Sequence, residues 1–559
     1  MQDFPWLKNY PDGVDKSINV TDQYSSVMDL VNECLTKYSD LPAYTNMGKT
    51  LSFAEVDSLS LRFASYLQGL GLKKGDRIAI QMPNLLQYPV VLFGAIRAGL
   101  IVVNTNPLYT ARELEHQLKD SGATAIVILA NFAHTLEKVV AHTQIKHIIV
   151  TQIGDLLGGI KKPLTNFVVK RIKKMVPAFK LPKAVSFSRA IKKGDPQTYQ
   201  KPSLSLNDVG FLQYTGGTTG ISKGAALSHG NIVANTLQIC EWIQSSLEFR
   251  KEIVITALPL YHIFAFTVNC LFILRMGGMN VLITNPRDMK SFLKDLRAFK
   301  FTLFTGVNTL FNGLLNQPDI DKVDFRSLKL AVGGGMAVQK PVNERWKSRT
   351  GVPILEGYGL SETSPVLSMN PTNGKDQIGT IGLPMPNTEM AIMNEAGEQL
   401  PIGERGEICA RGPQVMSGYW QRPDESDQVF FPGGWFRTGD IGIMDENGFF
   451  RIVDRKKDMI LVSGFNVFPN EVEDVVASHP GVLEVAAIGV PDEKSTEAVK
   501  IYVVKKDQNL TKEDLVAFCR ENLTGYKIPK HVAFIHELPK SNVGKIIRRE
   551  LREMEETKQ

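Results

Sequence analysis

The sequence predicts an α/β protein in two parts: a large N-terminal body of several subdomains with mixed sheets and helices, residues 1–454, and a small α+β domain, residues 455–559. Three observations lead there. Apolar strand-like runs alternate with helical patterns in the first part, and the final segment interleaves strands and helices on a smaller scale. At 559 residues the chain also exceeds the roughly 250–300 residues at which single cores stop growing. In order, 77–80 reads as a strand, 85–98 as a helix, 101–103 as a strand, 111–120 as a helix and 124–129 as a strand. This is the order of βαβ units. Past the body, a helix is expected from Asn470, strands near 482–490 and 498–504, and a helix capped by Thr511. The stretch between the two parts, Asp-Arg-Lys-Lys-Asp at 454–458, reads on its residues as an exposed turn.

Composition, 43% hydrophobic and 22% charged, is that of a large globular chain. Cys34, Cys240, Cys270, Cys409 and Cys519 are an odd count without a CxxC pair, so no disulfide framework or zinc knuckle is expected and a reducing cytoplasm is the simplest compartment. The nine histidines show no ligand spacing, which leaves any metal to oxygen donors. The N-terminus lacks a basic region followed by an apolar one and does not read as a signal peptide. The longest apolar stretch, 263–274, falls short of the ~20 residues that span a bilayer, so the chain is expected not to be integral.

The formal charge of +6 is unevenly placed, since 161–193 carries eleven Lys and Arg and no acid. Within it Leu164, Phe167, Val168, Ile172, Met175, Val176 and Phe179 recur at helical spacing among Lys170, Lys173 and Lys174, with Pro177 and Pro182 limiting any helix to a few turns. Two readings stay open: a surface that lies on an anionic membrane, or an insertion whose apolar stripe packs on its own domain. No nucleic-acid-binding motif accompanies the charge, so nucleic acid is not an expected partner.

Residues 214–224, YTGGTTGISKG, have the composition a backbone needs to wrap a polyphosphate. Glycines let successive N–H groups form an anion-binding concavity, hydroxyls add donors, and Lys223 adds a compact cation. It is not a Walker A loop, because two residues separate Gly220 from Lys223. Further motifs follow at large separations: LPLYH ending at His262, GGGM from Gly333, EGYGLSE from Glu356 to Glu362, WFRTGD ending at Asp440, DRKK from Asp454, and KSNVGK ending at Lys545. Each alone also fits a turn, a core position or a solvated surface. Their joint order and spacing, over roughly residues 25–550, resemble the acyl-adenylate-forming (ANL, AMP-binding) superfamily. Within it, IGLPMP, GPQVMSGYWQRPD, DRKKDMILVSGFNVFPNEVEDVV and LPKSNVGKIIRREL resemble the bacterial long-chain fatty acid–CoA ligases.

The resemblance implies the ANL fold with a mobile C-terminal domain turning about 454–458, and activation of a long-chain fatty acid with ATP, Mg²⁺ and CoA. It implies that Tyr214, Thr215, Gly216, Gly217, Thr218, Thr219, Gly220 and Lys223 hold phosphates, and that Thr215 and Glu362 bind the metal. Gly333, Gly334, Gly335, Glu356, Gly357, Tyr358, Gly359 and Ser361 would surround adenine, with Tyr358 stacking, while Asp440 and Arg455 hold the ribose. Lys545 would bridge the substrate carboxylate and the α-phosphate, Lys457 would sit at the hinge, and His262 would lie beside the acyl carboxylate or its entrance. Ser463, Gly464 and Phe465 would line the pantetheine path after rotation. Ser361, Gly216 and Ser222 depart from the usual residues of the family but keep a donor or flexibility. Medium-chain or aryl acids, transfer to a carrier protein, and a non-catalytic lipid-binding role remain alternatives, as do a homodimer and a peripheral place on the inner face of the cell membrane.

Overall fold

The computed structural model describes residues 4–216, 222–455, 457–463, 465–492 and 495–557. Seven strands build one sheet, in the order Ala184–Ser186, His147–Thr151, Ala125–Leu129, Arg77–Gln81, Ile101–Asn104, Val209–Gly216 and Ser222–Ser228. All neighbours run parallel except the last pair. Parallel strands covered on both faces read as unbroken apolar runs, and every residue of Ala125–Leu129 is buried. The helices Gln87–Arg97 and Ala111–Ser121 supply the crossovers. The second opens with a Thr110–Glu113 capping box and closes at Gly122 in a left-handed conformation. The strands and helices expected between 77 and 129 are thus all present, their ends moved by no more than two residues.

A second sheet of nine strands has Ile253–Thr256, Leu303–Gly306, Leu330–Gly334 and Ile354–Gly359 as parallel neighbours at its centre. Its register sets Gly333 beside Glu356 and Gly334 beside Gly357, so two glycine-rich carboxyl ends leave the sheet together. Open α/β sheets bind ligands outside such ends. The apolar stretch after His262 forms the helical turns Ala265–Phe272 and Ile273–Met276, buried throughout except at Arg275. Its polar members are satisfied inside, Thr267 donating to the Ser364 carbonyl at 2.7 Å and Asn269 to Thr305 Oγ1 at 3.0 Å. Among the described residues no helix is long and apolar enough to cross a membrane.

A third, antiparallel sheet carries Trp435–Met444 against Phe450–Arg455, with Asp440 paired to Arg455. The last sheet joins Phe465–Val467, Ile460–Val462, Thr496–Lys505, Val482–Asp492 and His531–Phe534, and the helices Pro469–Ala477, Lys512–Asn522 and Arg548–Glu556 accompany it. It has a core of its own, in which Val472, Val476, Val485, Ile501 and Leu515 meet. In the body, Trp346 is ringed by Phe304, Phe311 and Phe325 at centroid distances of 5.5, 4.8 and 5.6 Å. Such aromatic pairs contribute about 0.5–1.5 kcal/mol each beyond their area. They fix the helix Asn308–Leu315, which buries Leu310, Phe311 and Leu314. All five cysteines are buried and free.

The basic segment begins as the helix Lys161–Phe167 and continues through a wider turn, Val168–Ile172, neither of which buries a residue. Ile160, Leu164, Phe167, Ile172 and Met175 are between 51% and 82% exposed, while Val168, Val176 and Phe179 are half-buried. Leu164, Phe167, Ile172 and Met175 are thus covered only in part by their own domain.

Candidate active site

The antiparallel pair Val209–Gly216 and Ser222–Ser228 places Thr215 opposite Lys223 at the mouth of its connecting loop. Gly217, Thr218, Thr219 and Gly220 lie outside the described residues. Thr215 and Lys223 line a cleft of about 790 Å³. Lys223 is ion-paired with Glu425, and its ammonium stands 5.3 Å from the centre of the Tyr419 ring. Tyr214 also borders the cleft, but its hydroxyl donates to Asp120 at 2.7 Å, and Arg422 holds the other oxygen of Asp120 at 2.6 Å. After the loop, the Trp420 N–H donates to the Gly224 carbonyl at 2.8 Å, which carries Tyr419 over the metal-binding candidate: its hydroxyl donates to Glu362 Oε1 at 2.8 Å. Burial pushes the Glu362 carboxyl up from its ordinary range.

Gly334, Gly335, Gly357, Tyr358, Gly359, Ser361 and Glu362 all line this cleft. Two expected residues are not on its wall. A Cβ on Gly333 would lie 2.6 Å from Val338 and 2.8 Å from Ile354, which puts this glycine in the packed interior. Glu356 is buried and accepts the Val338 N–H at 3.0 Å, and burial pushes its carboxyl up to about 7. Asp440 reaches the cleft through the third sheet; its Oδ2 accepts the Tyr358 hydroxyl at 2.6 Å and its Oδ1 stands 3.3 Å from Arg455 Nε. Burial raises the Asp440 carboxyl, and Arg455 opposes the rise.

The small domain completes the cleft. Residues 540 and 546 bridge, the Ser541 N–H donates to the Lys545 carbonyl at 2.7 Å, and this tight loop projects Lys545 into the cleft beside Ser541, Asn542 and Val543. Gly335, at φ +79°, makes room: a Cβ there would lie 3.1 Å from Lys545 Cε. The loss of water, with Arg455 nearby, lowers Lys545 to about 8, while Asp440 and Glu362 pull the other way. Burial and the Lys545 cation push His262 down to about 3. Its Nδ1 accepts the Phe264 N–H at 3.3 Å, so neutral His262 carries its proton on Nε2 as a donor. Lys457 lines the cleft as well, its pKa lowered by burial and by Arg455. Ser463 and Phe465 do not: Phe465 is 56% exposed and stacks on Tyr526 at 4.8 Å, and Gly464 lies outside the described residues.

Lys223, Arg437, Arg455, Lys457 and Lys545 thus converge on one space, with Glu362, Asp440 and Glu425 between them. Charges fixed in advance in a site poor in water stabilise developing negative charge more than they would in bulk solvent. Sequence reasoning missed Tyr419 and Glu425, although the GYWQRPD stretch that precedes Glu425 was itself conspicuous. It also missed an apolar part of the wall made by Ile239, Ile243, Val268, Val332, Val366 and Met369, which no motif marks.

The AMP-binding enzyme family matches residues 31–420, and the AMP-binding enzyme C-terminal domain matches residues 471–545. The chain is 58% identical, over 549 residues and 98% of each chain, to the long-chain-fatty-acid–CoA ligase of Escherichia coli O6:H1. Among solved structures it is similar to the anthranilate CoA ligase AuaEII in complex with anthranoyl-AMP, with a TM-score of 0.86 and 25% identity over 97% of this chain and 99% of that one. ATP-bound MatB from Rhodopseudomonas palustris gives a TM-score of 0.81 at 28% identity, covering 94% and 98% of the two chains, whereas apo MatB gives 0.72 at the same identity and coverage.

Proposed function

The chain belongs to the AMP-binding enzyme family, and from that membership we propose a long-chain fatty acid–CoA ligase working in two steps at the cleft between its domains. It is an enzyme that forms acyl-CoA at the expense of ATP. A carboxylate is a poor acyl donor because its leaving group would be oxide. In the first step a carboxylate oxygen attacks the α-phosphorus of ATP and pyrophosphate leaves; in the second the CoA sulfur attacks the acyl carbon, the thiol proton is lost and AMP leaves.

The observation that carries this reading is Lys545, delivered by the small domain into a cleft of the body and seated against Gly335, with the charges of Asp440 and Glu362 acting on it. There it bridges two anions, the substrate carboxylate and the α-phosphate. Lys223 and Thr215 take the outer phosphates, and Glu425, now paired with Lys223, yields it to them. Asp440 and Arg455 hold the ribose, Tyr358 lies along adenine, and the backbone of Gly334, Gly335, Gly357, Gly359 and Ser361 closes around the base. Neutral His262 donates from Nε2 toward the acyl carboxylate. Glu362 has one oxygen on the Tyr419 hydroxyl and a carboxyl made costly to ionise by burial, a donor set that fits a hard cation. Mg²⁺ held by Glu362 and Thr215 would neutralise phosphate charge when bound. The six apolar wall residues receive the start of the acyl chain, each buried CH₂ contributing ~0.8 kcal/mol. In the second step the small domain turns, Lys545 leaves, and Ser463 and Phe465 come to line the path of CoA. Cytoplasmic ATP and CoA supply the reaction, and the exposed apolar and basic residues of 160–175 rest on an anionic membrane from which the acid is drawn.

Mass spectrometry of products from Mg-ATP and a panel of C2 to C18 acids, with and without CoA, tests the function. AMP and CoA thioester rising with chain length are expected. Accumulation of acyl-adenylate without transfer to CoA, or preference for an aryl acid, would replace this reading.

A further inference from the structure

The helix Asn308–Leu315 is anchored in the body, Phe311 against Trp346 and Asn308 against Gln339, whose N–H donates to Asn308 Oδ1 at 3.0 Å. One turn apart on the same helix, two side chains reach across to the small domain. The Thr309 hydroxyl donates to the Gly544 carbonyl at 2.8 Å, and Asn312 Nδ2 donates to the Leu483 carbonyl at 2.9 Å. The two segments that carry these carbonyls are joined inside the small domain by the ion pair of Lys540 with Glu484, at 2.7 Å. Gly544 immediately precedes Lys545 and adopts φ +82°; a Cβ there would lie 2.9 Å from Thr309 Oγ1 and 3.1 Å from Val307, so the approach is close and needs glycine.

We propose that Thr309, seconded by Asn312, is a positioning residue that latches the small domain in the adenylating arrangement and sets the depth of Lys545 in the cleft. Lys545 is a long, flexible side chain, and its loop is internally bonded, so its place in the cleft is decided by where that loop is held. Thr309 holds it at the adjacent peptide. Both latch bonds end on carbonyls and involve neither substrate nor reacting atoms. A rotation that withdraws Lys545 must break them, so they favour the first step and oppose entry into the second. This inference rests on the two-step reading above.

Thr309→Val keeps the shape and removes the donor. Loss of one neutral hydrogen bond corresponds to roughly a 3- to 10-fold change. Adenylation, followed by pyrophosphate release with palmitate and ATP in the full-length enzyme, is expected to fall by about that factor, with the loss in kcat rather than in the KM for ATP. Thioester formation from supplied palmitoyl-adenylate and CoA is expected to be unchanged or faster, and Thr309→Ser to restore adenylation. Equal loss in both half-reactions, or undiminished adenylation in Thr309→Val, would overturn the latch. Lys545→Ala run in parallel separates the two ideas. If it too lost both half-reactions equally, the two-step reading would fail; if it lost only adenylation while Thr309→Val did not, the latch alone would.

Discussion

In the proposed first step Lys545 acts as a cation, in a place that disfavours cations. Burial and Arg455 hold its pKa near 8 instead of 10.5, so the folded chain binds this proton less tightly than the unfolded one. The group therefore costs stability at low pH, and that cost is relieved as pH rises from about 8 to 10.5. Activity has the opposite sign: kcat/KM for adenylation is expected to fall as pH rises through about 8, because the neutral amine bridges no anions. Lys545→Ala should cut adenylation by ~10²- to 10³-fold, remove that alkaline limb, and spare conversion of supplied acyl-adenylate to thioester, all measurable in half-reaction assays. By residue type Lys545 reads as a solvated lysine, and only its motif marks it. Its partners were not legible, because Gly335 and Asp440 lie far from it in sequence and meet it through three different sheets. Tyr419 shows the same limit: its stretch is conspicuous, but its bond to Glu362 depends on the pairing of residues 418–420 with the strand Ser222–Ser228.

The charged stretch 454–458 reads as an exposed turn in sequence, yet Asp454 and Asp458 are both buried. Asp454 accepts the Asn470 N–H at 2.9 Å, and Asp458 pairs with Arg552 at 2.7 Å and Arg548 at 3.6 Å, so the last helix supplies the compensation no local pattern could show. Arg455 is held by Asp440 in the body, whereas Asp458 is held within the small domain. On the two-step reading we expect the backbone to change direction close to this stretch, with the Asp454–Asn470 bond released as it does. Lys457→Pro fixes φ at that place. Adenylation is expected to persist while thioester formation slows, and a barrier raised by only about 1.4 kcal/mol already slows a step tenfold. Single-turnover assays of each step check this; equal slowing of both would move the pivot elsewhere. Regular elements were easier to read, since the βαβ alternation from 77 to 129 carries its own periods and caps. The short strands Leu383–Pro384 and Phe430–Phe431 have no period to read and exist only because a neighbouring strand accepts them.

At the scale of the whole molecule, the apolar and basic surface from Ile160 to Met175 stands out, since Ile160, Leu164, Phe167, Ile172 and Met175 each leave half or more of their surface exposed. Lys and Arg near an anionic leaflet contribute about 1 kcal/mol each, and burying a Phe or Leu side chain about 1.5–3 kcal/mol. Sedimentation with phosphatidylglycerol vesicles is expected at low salt, weakened at high salt, and reduced roughly tenfold or more by Phe167→Ser with Leu164→Ser. Turnover of a short soluble acid should be unaffected by that double change. Absence of binding at low salt would end the membrane reading.

The sequence by itself determined the α/β plan and the order of its early strands and helices, because periodicity and caps are local and survive without the fold, and the joint order of its motifs carried the resemblance that implied the chemistry. Only the tertiary structure decided that Gly333 and Glu356 lie off the cleft wall while Tyr419 and Glu425 join it, that the 160–175 stripe is covered only in part, and that Thr309 meets the peptide before Lys545. Each of these depends on which surfaces meet, and contact between residues hundreds of positions apart is set by sheet register and domain docking, which leave no mark in a single local pattern.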